Sequence, residues 1–247
     1  MKQRKALRMD DVGASSKLYE IYSKKFYGLG NFWFLKQLKP FAAWGPYEEM
    51  SCQEWEEVLA IIEKYSAKLT VGITACWVEY DGTLTPFPVK FPEQAKLLKI
   101  AQRKGLIEIA NHGLTHCVLK SNLFRPQFFK GNRAFHREFW DWQGRDLHFD
   151  HIKKSQQILQ EYFDTDVVTL IPPGNVFCEH TLDAAIEHGL KFVNCNLKDS
   201  DYRSLKLISN ANVIAFHDKE IVQIGPQWLE KTILQNEAQW VFTRELG

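Results

Sequence analysis

Two short groups of residues in this 247-residue chain have the types and spacing that metal-assisted chemistry needs. Asp10 and Asp11 stand together in Leu7-Arg8-Met9-Asp10-Asp11-Val12-Gly13, and His112-Gly113-Leu114-Thr115-His116 follows well downstream. One carboxylate and two imidazoles bind a divalent ion while leaving coordination positions open, and the second carboxylate is then available to move protons. Such a set suits hydrolysis. Taken singly, each group has a plainer use. Asp-Asp is a common turn dipeptide, and His112 and His116 serve equally as a loop histidine and a helix-cap partner. Their spacing suits either one helical face or a tight loop around a metal, and Gly113 permits close backbone approach.

Elements able to position these residues alternate along the chain. Lys5 to Met9 reads as a first strand. Trp55, Val58, Leu59 and Ile62 at helical spacing predict a helix over Gln53 to Tyr65, leading to a strand over Leu69 to Ala75. Pro92 opens a helix over Glu93 to Lys104, ended by Gly105 and followed by the strand Leu106 to Ala110. The rhythm recurs as helix Ile152 to Phe163 with strand Val167 to Ile171, then helix Thr181 to His188 with strand Lys191 to Cys195. Val213 to Phe216 is a further strand, Ile221 to Ile224 reads as another, and Gln227 to Ala238 as a closing helix. This alternation predicts a parallel sheet with helical crossovers. Six or seven such units predict an irregular α/β barrel forming one domain over residues 1–247.

In parallel barrels chemistry gathers at the C-terminal ends of strands. Asp10 and Asp11, His112, Pro172 and Pro173, and His217 each follow a predicted strand. Two segments break the rhythm, at about 26–50 and 117–150, and each carries eight aromatics, among them Phe128-Phe129 and Trp140-Asp141-Trp142. Long aromatic loops in compact domains are usually functional. In the second, Lys120, Arg125, Lys130, Arg133, Arg137 and Arg145 outnumber Glu138, Asp141 and Asp146. That composition suits phosphate recognition beside sugar-facing aromatics, and equally a solvated basic loop packed by its own rings.

With 31 lysines and arginines against 30 acids, the chain carries no global field to draw in a nucleic acid polymer or a membrane. The five cysteines, Cys52, Cys76, Cys117, Cys178 and Cys195, contain no Cys-x-x-Cys and argue against a disulfide framework or zinc knuckle. The basic start Met1-Lys2-Gln3-Arg4-Lys5 runs straight to Asp10 without an apolar signal core, and no run approaches membrane-spanning length. A cytoplasmic location is the expectation. His136, His148, His151, His180 and His188 have no motif around them and read as structural.

In barrel order these groups resemble the polysaccharide deacetylases, also called carbohydrate esterase family 4 or the chitooligosaccharide deacetylase homology domain. The blocks are Met9-Asp10-Asp11-Val12-Gly13, Asn111-His112-Gly113-Leu114-Thr115-His116, Ile171-Pro172-Pro173-Gly174-Asn175, Asp199-Ser200-Asp201-Tyr202, and Ala215-Phe216-His217-Asp218. The resemblance implies a (β/α)7-type barrel and removal of an N-acyl group, acetyl first, from an amino sugar. It implies Asp11, His112 and His116 as ligands of a divalent metal, Asp10 as general base and His217 as general acid. Zn²⁺ suits one carboxylate with two imidazoles, as do Co²⁺, Ni²⁺ and Fe²⁺.

Two departures stand out. Ile171 takes the place of the family arginine that pairs with the base, and Tyr202 takes the place of a tryptophan. Arg8, two residues before Asp10 on one strand, points the same way and is positioned to supply the missing charge, or to make an ordinary flanking ion pair. Arg8, Pro173 and Asn175 are thus the candidate substrate-side residues. The divergence suggests an acylated amino sugar on a nucleotide or lipid carrier in surface-polysaccharide (O-antigen) assembly. A non-catalytic carbohydrate-binding relative and a hydrolase of a non-sugar amide are the alternatives.

Overall fold

A computed structural model describes residues 2–18, 47–119 and 133–247. Its strands are β1 (Gln3–Val12), β2 (Leu69–Ile73), β3 (Cys76–Val78), β4 (Leu84–Pro86), β5 (Ile107–Asn111), β6 (Thr169–Leu170), β7 (Phe192–Asn194), β8 (Ser200–Tyr202), β9 (Leu205–Ile208), β10 (Val213–His217) and β11 (Ala238–Val241). The helices are α1 (Cys52–Lys64), α2 (Phe87–Lys90), α3 (Pro92–Arg103), α4 (Arg145–Phe163), α5 (Glu179–Glu187), α6 (Asp218–Ile224) and α7 (Gln227–Leu234). None of the helices searched among the described residues is long and apolar enough to cross a membrane.

Alternate side chains divide each main strand between two buried surfaces. Leu7 and Met9, Leu69, Val71 and Ile73, and Ile107 and Ile109 enter one apolar core with Trp55, Val58 and Ile62 of α1, Leu98 of α3 and Leu159 and Phe163 of α4. The residues between them, Arg8 and Asp10, Thr70 and Glu108, lie on the opposite face, which is buried but polar. There Glu108 accepts hydrogen bonds from Thr70 (2.8 Å) and Thr169 (2.6 Å).

The sheet runs β10-β1-β2-β5-β6-β7-β9-β8, with β11 also paired to β1. Every pairing on this path is parallel except β8 with β9, so seven strands of the path share one direction, as in a (β/α)7-type barrel, and β11 adds to β1 in the same direction. In a flat sheet β1 and β7, four spacings apart in that order, would lie roughly 19 Å from each other. Yet Arg8 Nη1 of β1 donates to the carbonyl (3.3 Å) and side-chain oxygen of Asn194 in β7. The sheet is therefore curled around its polar face. No pairing joins β9 or β8 to β10 among the described residues.

Helices with both periodicity and caps lie where the sequence places them: α1 begins at a capping box in which Ser51 and Glu54 exchange hydrogen bonds, and α3 begins at Pro92. Ile221 to Ile224, expected as a strand, is instead the end of α6, a helix started by His217 N–H donating to Glu220 (2.8 Å). Four apolar residues carry too little periodicity to separate the two states. The helix expected to reach Ala238 stops at Leu234, because residues 238–241 add to β1 as β11. Of the two aromatic segments, residues 26–46 and 120–132 lie outside the described residues, Phe128-Phe129, Lys120, Arg125 and Lys130 included.

Burial pushes Glu108 above the ordinary carboxylate range, against the opposing bonds from Thr169 and Thr70 and the charge of Arg244. A group whose folded pKa is raised favours the fold below its unfolded pKa and loses that contribution as pH rises through the folded value. Glu108→Gln should therefore gain stability over wild type between about pH 4 and pH 8, read from urea midpoints across that range. A difference independent of pH would contradict this.

Candidate active site

In a regular strand Asp10 and Asp11 would face opposite sides of the sheet. The pairing of β1 with β2 shifts register between Met9 and Val12, and Asp11 has a φ of 70°. This bulge turns both carboxylates into one cleft. Parallel pairing of β1 with β10 then sets His217 directly beside Asp10.

The segment after β5 is a tight loop rather than a helical face. His112 N–H donates to Ile73 O (2.9 Å), Gly113 N–H to Asn111 Oδ1 (2.8 Å), and His116 has a φ of 57°. Its remaining amides converge on Glu138, which accepts from Leu114 (3.0 Å), Thr115 (3.1 Å) and His116 (2.8 Å) and meets His151 Nδ1 at 2.6 Å. Glu138 is fully buried. Burial would push its carboxyl up, but His151 and the backbone amides outweigh that and hold it below its usual range. Gly113 has a φ of 82°, and a Cβ there would overlap the Glu138 carboxylate, so only glycine fits.

Asp11 Oδ1 lies 3.2 Å from His112 Nε2 and 3.0 Å from His116 Nε2. His112 Nδ1 sits 2.6 Å from the carbonyl of Ile171, which can only accept, so Nδ1 carries a proton and Nε2 is the nitrogen turned toward the Asp11 carboxylate. His116 Nδ1 meets Ser16 Oγ at 3.0 Å. Wherever one of these imidazole nitrogens carries a lone pair, it meets an anionic oxygen at a range that calls for a cation between them, a proton or a metal. The three ligand atoms all lie within 4.8 Å of one another, and the donor set fits a divalent ion. Burial alone would raise Asp11, yet the imidazoles of His217, His116 and His112 outweigh it and hold the carboxyl well below the ordinary value.

Asp10 is gripped by Arg8 through Nε to Oδ1 (2.9 Å) and Nη2 to Oδ2 (2.6 Å). Arg8 Nη1 goes to Asn194 and to Asn210 Oδ1 (3.1 Å), and the residue is buried. Arg8 thus lies beneath Asp10 and does not line the cleft, contrary to its place among the substrate-side residues. The Ile171 side chain packs on the same inner face, where a Cβ at Gly72 would touch both it and Asp10.

Among the described residues the cleft is lined by Asp10, Asp11, His112, His116 and His217, by Pro172, Gly174 and Asn175, and by Tyr47, His136, Arg137 and Lys219. Pro173, expected there, is buried behind the histidine loop against Gly113, and Pro172 takes its place. Asn175 reaches the cleft, but its Oδ1 already accepts from Asn196 N–H (3.1 Å). The fourth sequence block lies elsewhere: Asp199 accepts from Ser209 N–H (2.6 Å), Asp201 pairs with Lys206 (2.9 Å), and Tyr202 donates to Asp183 (3.1 Å).

Sequence reasoning missed the supports. Tyr47 donates to Asp218 Oδ1 (2.8 Å), and the buried Lys17 pairs with Asp218 and with Glu49 (2.6 Å). Burial pushes both carboxyls up; burial works against the Lys17 charge, but Asp218 and Glu49 prevail and hold it cationic. Only the step from His217 to Asp218 hinted at this group. Glu138 and His151 gave no local signal at all.

Removing Glu138 would strand His151 and three amides in the interior. Glu138→Ala should cost about 3–5 kcal/mol, read as a lower urea midpoint, whereas a loss under about 1 kcal/mol would show the loop holds itself.

The polysaccharide deacetylase family matches residues 45–193. A candidate polysaccharide deacetylase from Mycobacterium smegmatis superposes with a TM-score of 0.56 at 11% identity, over 99% of this chain and 90% of that one. A family 4 carbohydrate esterase from Bacillus anthracis gives 0.51 at 14%, over 99% and 82%. A mutant, with restored enzymatic activity, of a Bacillus anthracis family 4 pseudoenzyme gives 0.53 at 12%, over 99% and 67%. At such identities the likeness is one of fold. None of the curated proteins matches the chain. With three fifths of its length matched in sequence and the parallel curled sheet to go with it, the chain belongs to the polysaccharide deacetylase family.

Proposed function

We propose that this chain is a metal-dependent hydrolase that removes an N-acyl group, acetyl first, from an amino sugar. The observation that carries this reading is the convergence of Asp11, His112 and His116 with Asp10 and His217 on one cleft. Asp11, His112 and His116 would hold the ion, with Zn²⁺ favoured and Co²⁺, Ni²⁺ or Fe²⁺ as alternatives. When bound, the ion polarises the amide carbonyl and makes water more acidic.

Asp10 takes the proton of the attacking water. Each of its oxygens accepts one bond from Arg8, which fixes the carboxylate plane and leaves a lone pair on each for that proton. His217 delivers a proton to the departing nitrogen, without which an amine leaves slowly. The charge of Asp11 first, against burial, and then those of Asp10, Glu220 and Asp218 raise the His217 pKa above its usual value, which favours the protonated form that a general acid needs. The acceptor sugar in this proposal is carried on a nucleotide or lipid in surface-polysaccharide (O-antigen) assembly in the cytoplasm. The near-balance of 31 basic and 30 acidic residues supports no nucleic acid polymer as partner.

Elemental analysis should find near-stoichiometric metal in wild type and its loss in His112→Ala. Acetate release from a panel of N-acetylated sugars and nucleotide sugars should disappear in His112→Ala and Asp11→Ala with the fold intact by circular dichroism. Full turnover in either variant would refute the mechanism. Sugar binding without metal or acetate release would leave a carbohydrate-binding relative, and release only from non-sugar amides would change the substrate.

Because the general acid must be protonated, kcat/KM should fall as pH rises through the His217 pKa, above the usual value of about 6.5. His217→Ala should lower kcat by about 10²–10⁴-fold and remove that limb from the profile. A limb that persists in the variant would assign the acid to another group.

A further inference from the structure

Arg137 is a cleft residue that the hydrolytic reading does not use. It lines the same cavity as Asp10, Asp11, His112, His116 and His217, and Lys219 lines it as well. Its stem lies across the turn after β6: a Cβ at Gly174, where φ is 60°, would overlap Arg137 Cγ. The bare backbone of Gly174 is what gives the arginine its place. Its guanidinium carbon stands 5.7 Å from the centre of the Trp140 ring. Among the described residues no carboxylate pairs with Arg137, whereas Arg8 and Lys17, the other site cations described above, are both bound to carboxylates.

We propose that Arg137, with Lys219 as second cation, recognises an anionic substituent on the amino sugar, a phosphate or a carboxylate. A guanidinium whose stem is already laid against Gly174 and whose charge faces the Trp140 ring loses less freedom when it binds, and its fork matches the paired oxygens of either anion. Among the described residues a neutral sugar would give the Arg137 guanidinium no anion to pair with in the cleft. This deepens the deacetylase reading by naming its substrate class, and it rests on that reading for the identity of the sugar.

The test is calorimetric titration of the zinc-reconstituted protein with N-acetylglucosamine, N-acetylglucosamine 1-phosphate and N-acetylglucosaminuronic acid. Wild type and Arg137→Gln are compared, with equal thermal midpoints as the check on folding, and Arg137→Lys keeps the charge without the fork. In wild type at least one charged sugar should bind about tenfold tighter than the neutral one, or more. In Arg137→Gln that advantage should shrink to about twofold with neutral-sugar affinity unchanged, and Arg137→Lys should fall between. The metal is common to all proteins compared, so its own attraction for anions cancels in the comparison. Tighter binding of the phosphate identifies a phosphorylated sugar; tighter binding of the carboxylate identifies a sugar acid. Equal affinities in wild type, no binding of either charged sugar, or a preference untouched in Arg137→Gln would overturn the proposal. Acetate release on the same sugars separates the two readings. An Arg137-dependent preference without acetate leaves recognition standing and removes the hydrolase, whereas acetate with no preference does the reverse.

Discussion

Burying Arg8 and Asp10 side by side on the inner face of the sheet strips water from two charges, at about several kcal/mol each. Their attraction recovers that loss only with good geometry and with the remaining donors satisfied. Both conditions hold. Two guanidinium nitrogens grip the two oxygens of Asp10, and the third reaches Asn194 and Asn210. Asn194 ends β7 and Asn210 lies in the turn before β10, so one side chain links the first strand to the far side of the sheet. The orientation of Asp10 follows from this contact, which also ties together the two sides of the curled sheet, while the β1–β10 pairing sets His217 beside Asp10.

This contact also makes sense of Ile171. The family resemblance places an arginine there, and in this chain the positive charge comes from β1 instead. What position 171 retains is its carbonyl, which holds the proton of His112 on Nδ1 whatever the side chain. Side-chain and backbone duties at one position have been separated. The polar inner face allows this, because an arginine entering from below meets Asn194 and Asn210 rather than aliphatic groups.

Legibility in the sequence followed the range of the interaction. α1 and α3 were readable because periodicity and caps are local, and the alternation of short strands with helices was enough to predict a parallel sheet. The order Asp10-Asp11, His112, His116, His217 was readable because each lies at or just beyond a strand end. The bulge at Asp11 was not, since it depends on how β1 pairs with β2. Nor was β11, whose four residues are a strand only because the edge of β1 accepts them. Glu138 was hidden for a related reason: it stood in a run of basic residues and looked solvated, while its partners are amides 22 to 24 positions away. His151, without a motif, is the other half of that pair. Pro173 and Pro172 are adjacent, and only the turn geometry decides which faces the cleft.

β1 has its parallel neighbours at very different distances along the chain. Leu69 of β2 lies early in the sequence, whereas Val213 of β10 pairs with Ala6 and Ala238 of β11 with Gln3 from far downstream. During synthesis, which proceeds at about 5–20 residues per second, β1 must wait with one edge uncovered until β10 and β11 have been made. Pairings of such long sequence separation form slowly and leave strand edges exposed to other chains. In the cell, the yield of native protein will depend on whatever shields that edge on the ribosome.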